Sequence, residues 1–466
     1  MLDRIDKFFK IKDSGSSIKT EVIAGFTTFF AMCYIILVNP SQISGANSGT
    51  LYNAVFVGGA IAAVIGTLLM AFVAKKPFAQ AAGMGLNSFF FVSFILPAIQ
   101  NGGDPLTGYG AGLVIILLSG LIFMILSITG LREYIAKAMP ECLKKSIPAG
   151  IGLFIAMIGF KNSSIIMANE FTFVQLADMT KWSIAAPVLA AFLGFVLIVI
   201  YAKSKWNWMR KGSMILGIFS SAILYYLFTW TLPSFEMQNI GTVFSDFGKY
   251  GFSVFKSASW KAAFDGVTVG SIFSVIMLII TFCLVDMFDT VGTIYGTCAQ
   301  AGMLDENGDP IDLNKCMLCD SLGTLAGALL GTSSVTTFVE SSSGVAEGGR
   351  TGFASVITAA CFLVCIFLSP LASIIPTICT APALIYVGVL MLGNFAKVDM
   401  NDLRSAVPAF LTLILMPLTY SISNGIGVGA IAYVIITLCT GKFTKKDIVV
   451  TVIAVIFALR FALVAM

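Results

Sequence analysis

No histidine occurs anywhere in the 466 residues. That removes a common metal ligand and the one side chain whose unperturbed pKa falls between pH 5 and 8. Any proton handled near neutrality must therefore be carried by carboxylates. Charge is scarce as well. Asp, Glu, Lys and Arg make up 11% of the chain, against about 25% in ordinary soluble domains. No polar linker divides the chain into separate domains. The ten cysteines are scattered, mostly through apolar runs. Cys316-x-x-Cys319 is the close pair of note, and with no partner ligands nearby it reads as packing and not as a zinc or redox site. No metal or cofactor is expected. Nothing resembles a nucleophile–base pair or a phosphate loop, so an enzyme is not expected.

What fills the chain is hydrocarbon. Hydrophobic residues are 58% of it and the mean hydropathy is +0.94. At roughly 20 apolar residues per crossing, this length allows about 12 to 15 spans. About fifteen apolar runs can be read, the last near 447–465. Arg4, Lys7, Lys10, Lys12 and Lys19 precede the first run, Val22 to Val38, which ends at Asn39-Pro40 without a cleavage pattern. Every second loop is basic: Lys75 and Lys76, then Arg132, Lys137, Lys144 and Lys145, then Lys203, Lys205, Arg210 and Lys211. This pattern places the amino terminus in the cytoplasm of a multi-pass plasma-membrane protein. The 302–315 loop departs from it, with Asp305, Glu306, Asp309 and Asp312 against Lys315. The net charge of +4 fits basic loops and implies no nucleic-acid partner.

Two stretches set acid inside these runs. Phe282 to Thr293 carries Asp286 and Asp289, and Gly331 to Gly344 carries Glu340 among serines and threonines. Ionisable groups at membrane depth are costly, so they face cavities and act there. On a helix Asp286, Asp289, Thr290 and Thr293 share one face. A geometry with Asp286 and Glu340 on a common cavity wall would suit a flat polar heterocycle bearing N–H donors, with phenylalanines 89, 288 and 338 available to stack. Sodium coupling rivals proton coupling, since carboxylate, hydroxyl and carbonyl oxygens make a fair hard-cation set with Thr336, Thr337, Ser341 and Ser342 nearby. An anion exchanger or channel is a further class, disfavoured by the two buried acids.

Internal symmetry is faint but readable. Pro148, Met157 and Gly159 recur at the same spacing as Pro382, Met391 and Gly393, and Ala186-Pro187 corresponds to Val407-Pro408. An odd number of runs per copy inverts the second copy, a transporter signature. The third run opens Pro77-Phe78-Ala79-Gln80-Ala81-Ala82-Gly83-Met84-Gly85-Leu86-Asn87 and the tenth is the Glu340 stretch. Each reads as a short extended piece feeding a half-helix, with Asn87 and Glu340 near helix N-termini at the membrane midplane.

Five motifs in order resemble the AzgA-type purine permeases, a branch of the nucleobase–cation symporter-2 (nucleobase–ascorbate transporter) family. They are Thr27-Thr28-Phe29 to Asn39-Pro40, Ala82 to Asn87, Val285 to Thr293, Val335 to Ser341, and Gly348-Gly349-Arg350-Thr351-Gly352. The resemblance implies an all-α polytopic membrane protein of about 14 segments in two inverted sets of seven, with half-helices and short strands at segments 3 and 10. It implies a cytoplasmic stretch at 1–20, a core domain from 21–131 and 268–376, an extracellular loop at 233–267, and a gate domain from 132–232 and 377–466. It implies import of a purine base (adenine, guanine or hypoxanthine) by proton symport, with a homodimer through the gate. By motif, Asp286, Glu340, Asn87, Gly85 and Thr337 would serve the substrate. Asp286, Asp289 and Glu340 would serve the proton. Relatives of the uracil and xanthine type commonly carry glutamate where Asp286 stands.

Overall fold

The computed structural model describes residues 2–46, 48–131, 135, 138–169, 171–232, 240–264, 269–306, 310–368, 374–393 and 395–464. Arg132, Lys137 and Asp309 lie outside them. The described chain is overwhelmingly helical. Eight of its helical stretches are long and apolar enough to cross a membrane.

The first half begins with α1 (Leu2–Phe9), α2 (Ile18–Met32), α3 (Ile35–Ser44) and α4 (Thr50–Leu69). α2 and α3 form one span that is interrupted at Cys33 and Tyr34. β1 (Gln80–Ala82), α5 (Met84–Phe90) and α6 (Leu96–Gln100) make the third segment, and α7 (Pro105–Ile128) the fourth. α8 (Glu141–Asn162), the hairpin β2 (Ile166–Asn169) and β3 (Phe173–Leu176), α9 (Trp182–Ala202), α10 (Asn207–Lys211) and α11 (Ser213–Thr229) follow. The sequence gives no sign of the β2–β3 hairpin, whose residues are largely exposed.

The long connection that follows is helical in its described part, with α12 (Ile240–Tyr250) and α13 (Ser257–Phe264). It is pinned to the bundle where Asn53 Nδ2 donates to Asp246 Oδ2 at 2.8 Å. The second half runs α14 (Val269–Ala301), α15 (Leu313–Leu330), β4 (Val335–Thr337), α16 (Ser341–Ala346), α17 (Gly352–Cys365), α18 (Thr377–Leu392), α19 (Leu403–Leu418) and α20 (Ile422–Cys439). A further apolar helix, α21 (Ile448–Val464), comes after α20. Arg404 on α19 and Tyr433 on α20 both reach Asp447, just before α21, at 3.5 and 2.9 Å.

Inversion is visible in the packing. α4 meets α17 as α15 meets α7; α2 meets α17 as α14 meets α7; α9 meets α18 as α19 meets α8. Each contact is the image of its partner when the halves are exchanged. α8 and α18, the helices with the matched Pro148 and Pro382, pack on each other.

β1 and β4 lie on the same exchange axis. They pair antiparallel as Gln80↔Thr337, Ala81↔Thr336 and Ala82↔Val335. All six residues are buried. Extended backbone at this depth needs partners from the protein, and it has them. Gly83 N donates to Ser334 O at 2.9 Å and Phe338 N to Ala79 O at 3.0 Å, extending the ladder at both ends. Thr67 serves both polar groups of Gln80's backbone, and Ala79 N finds Ser341 Oγ at 3.0 Å. Gly331, at φ +86°, ends α15 in the left-handed turn that leads into β4.

Candidate functional site: a cavity at the crossing of the two half-helices

A cavity of about 530 Å³ opens beside the paired strands, a size that suits a small planar ligand. Its floor comes from both repeats: Gly83, Met84 and Gly85 from the third segment, and Thr337, Phe338 and Glu340 from the tenth. Asp289, Gly292 and Thr293 of α14 form one wall. Pro148 and Ile155 of α8, Met214 of α11, and Tyr386, Val387 and Met391 of α18 close it from the opposite side. Arg210 and Lys211 stand on its border.

Glu340 occupies the N-cap position of α16, yet its side chain makes no cap bond to that helix. Its Oε1 instead accepts from the Tyr34 hydroxyl at 2.7 Å. Tyr34 is fully buried at the interruption between α2 and α3. Thr337 lines the cavity and its Oγ1 accepts from Gln80 Nε2 at 3.3 Å. Gly85 also lines it. A Cβ there would stand 2.5 Å from Ile151 Cγ2 on α8, so the absent side chain lets α5 and α8 approach.

The acid stripe on α14 is divided. Asp289 and Thr293 face the cavity. Asp286 and Thr290 turn toward α15. Asp286 Oδ2 accepts from Thr324 Oγ1 at 3.0 Å, and Thr290 Oγ1 donates to Asp320 Oδ1 at 2.6 Å. Residues three and four apart share a face only loosely. A stripe that includes both spacings is wide enough to meet two neighbours. The structure thus brings Asp289 and Glu340 to one cavity and sets Asp286, 2% exposed, one turn deeper in the bundle. Asn87 is also behind the floor and fully buried. Its Nδ2 donates to Gln42 Oε1 at 3.2 Å, and its Oδ1 accepts from Ser333 Oγ. Gln42 in turn donates to Ser88 Oγ at 3.0 Å.

Of the expected stacking rings, Phe338 lines the cavity, whereas Phe89 packs on Phe282 with centroids 4.9 Å apart. Phe288 is buried, 3% exposed, in the core. Sequence reasoning passed over Tyr34, Gln80, Asp320 and the α8–α18 wall. The signal that marks Asp286, an acid inside an apolar run, equally marks Asp320. Tyr34 and Gln80 carry no comparable sign.

A cavity framed by paired half-helices from two inverted repeats is the architecture of a membrane transporter domain. The transmembrane domain of the cyanobacterial bicarbonate transporter BicA superposes with a TM-score of 0.58 at 16% identity, covering 87% of this chain and 97% of that one. The overall structure of SLC26A9 gives 0.58 at 12% identity, covering 93% and 67%. At such identities the likeness is one of fold alone.

The chain belongs to the permease family Xan_ur_permease, whose profile matches residues 19–428. It is 39% identical over 463 residues to the guanine/hypoxanthine permease PbuG of Bacillus subtilis (strain 168), covering 97% of this chain and 98% of that one. It is 36% identical over 464 residues to the adenine permease AdeQ of Escherichia coli (strain K12), covering 99% and 96%. It is a multi-pass membrane protein of the purine nucleobase permease group.

Proposed function

We propose that this protein imports a purine base, adenine, guanine or hypoxanthine, by secondary active transport coupled to protons. The observation that carries the reading is the presence of two carboxylates, Asp289 and Glu340, from opposite repeats on one cavity of base-sized volume. The permease relatives give the substrate class.

In this reading Glu340 accepts a ring N–H of the base and Thr337 supplies a hydroxyl. Phe338 and Met391 cover the faces, and Asn87 keeps the floor rigid from behind. Asp286 contributes from one turn deeper. Carboxylates brought together in low dielectric disfavour double ionisation, so a proton enters with the base and leaves with it. With no histidine, no imidazole relay exists to replace them. The segments α2–α7 and α14–α17 move as a core carrying the floor. The segments α8–α11 and α18–α20 stand as the gate, so the site is exposed to either side in turn.

Radiolabelled uptake in a host that lacks purine uptake tests this. We expect one purine to accumulate, accumulation to collapse with a protonophore, and replacement of sodium to have no effect. Uptake that requires sodium would assign the coupling to that ion. Uptake of no purine would overturn the substrate assignment.

A further inference from the structure

Glu340 is the one acid on the cavity floor, and its side chain makes no cap bond to α16. At an N-cap, side-chain oxygens ordinarily fold back onto the free N–H groups of the first turn. Glu340 does not. The side chain that donates to it is 306 residues away, the Tyr34 hydroxyl at 2.7 Å. Tyr34 has no exposure, so its hydroxyl needs a protein partner. The bond joins the break in the first span to the half-helix of the tenth, across the two repeats.

We infer that Tyr34 is a positioning residue for Glu340: by holding Oε1 from behind, it turns Oε2 toward the cavity and fixes which oxygen meets the ligand and the proton. The inference rests on the purine-site reading for its ligand, though not for its geometry. Phenol and carboxylate form a charge-assisted pair, which is shorter and stronger than a neutral one. Other groups facing Glu340 are Asp289 on α14, with Asp320 behind it, Cys33 beside Tyr34, and Arg210, Lys211 and Tyr386 around the cavity. None of these makes a side-chain hydrogen bond to Glu340.

Tyr34→Phe removes the donor and keeps the ring. Purified protein in lipid is titrated by difference infrared spectroscopy, and the carboxyl band of Glu340 is assigned by its loss in Glu340→Gln. We expect Tyr34→Phe to move that titration to higher pH by about one unit, because a donor to the ionised form is lost. We expect 3-fluorotyrosine at position 34, a stronger donor of nearly the same shape, to move it to lower pH. The KM for the purine should rise about 10-fold in Tyr34→Phe, the effect of losing a hydrogen bond to a charged group, with a smaller change in kcat. A merely structural role would lower the amount of folded protein and leave the band's titration unmoved. The same titration in all three proteins would overturn the inference. If the bands shift as expected but the wild type transports no purine, the Tyr34–Glu340 arrangement stands and the substrate assignment falls.

Discussion

Two glutamates show that position decides what an acid does. Glu21 on α2 has no exposure, and its carboxylate accepts the backbone N–H groups of Arg350 at 2.8 Å, Thr351 at 3.3 Å and Ala354 at 3.2 Å. Its oxygens are spent on the turn that starts α17, which explains the Gly348–Gly352 motif as a docking point for Glu21. Glu340 has Oε1 held by Tyr34 and borders the cavity. The two should fail differently. Glu21→Ala should lower stability by roughly 3 kcal/mol, the scale of losing bonds to a charged acceptor, and this is read as a lower melting temperature in detergent. Glu340→Gln should melt like the wild type yet lose uptake by at least about 10-fold. Asp286→Asn, at the Thr324 contact, should likewise abolish uptake with protein still in the membrane. Normal uptake in both Asp286→Asn and Glu340→Gln would contradict the site. In the sequence these acids look alike: each is an acid in or beside an apolar run. Only tertiary partners separate them, and for Glu21 and Glu340 those come from more than 300 residues away.

Among the elements, the third and tenth segments were the legible ones. Pro77, Gly83 and Gly85 in one and the Thr/Ser run in the other are poor for a continuous helix, and both became a strand leading into a half-helix. The break between α2 and α3 has no glycine, and Pro40 lies inside α3 and not at the break, so nothing local announced it. Gly85 belongs to this scale because its missing side chain sets how closely α5 and α8 approach. Gly85→Val should block uptake while leaving the melting temperature within a few degrees, since the clash lies with one side chain, Ile151, at the contact between the proposed core and gate. A second prediction concerns α15. Asp312 precedes it and lies 2.8 Å from Lys315 and 3.6 Å from Lys76. The donor on Lys315 holds its carboxyl below the usual carboxylate range, partial burial opposes this, and Lys76 adds to the lowering. A depressed folded value means the stabilisation is full above the ordinary pKa of about 3.9 and is lost as pH falls through the folded value. Asp312→Asn should therefore melt slightly earlier than the wild type at pH 7, and the gap should close as pH falls below the usual carboxylate range.

For the molecule as a whole, the inverted repeat was only faintly legible. Apolar helices in lipid need little beyond hydrophobicity, so two halves with little sequence in common can still make matched contacts. The prolines of α8 and α18 are what the sequence shows of the match. In the proposed cycle, motion of core against gate must also break contacts between the two. One such contact is visible at the cavity's border: Lys211 reaches Glu347 at 3.0 Å and Thr27 Oγ1 at 3.1 Å, tying α10 to the end of α16 and to α2. Reversing either charge alone, Lys211→Glu or Glu347→Lys, should reduce uptake several-fold, and the double reversal should restore most of it. No recovery in the double variant would mean that the pair plays no part in the cycle.

The most direct measurement is uptake by purified protein in sodium-free liposomes with an imposed proton gradient, acid outside, set against Glu340→Gln. We expect adenine, guanine or hypoxanthine to accumulate only while the gradient lasts, and the variant to show none. Accumulation that ignores the gradient, or that persists in Glu340→Gln, would contradict a proton-coupled site built on the acids of the two repeats.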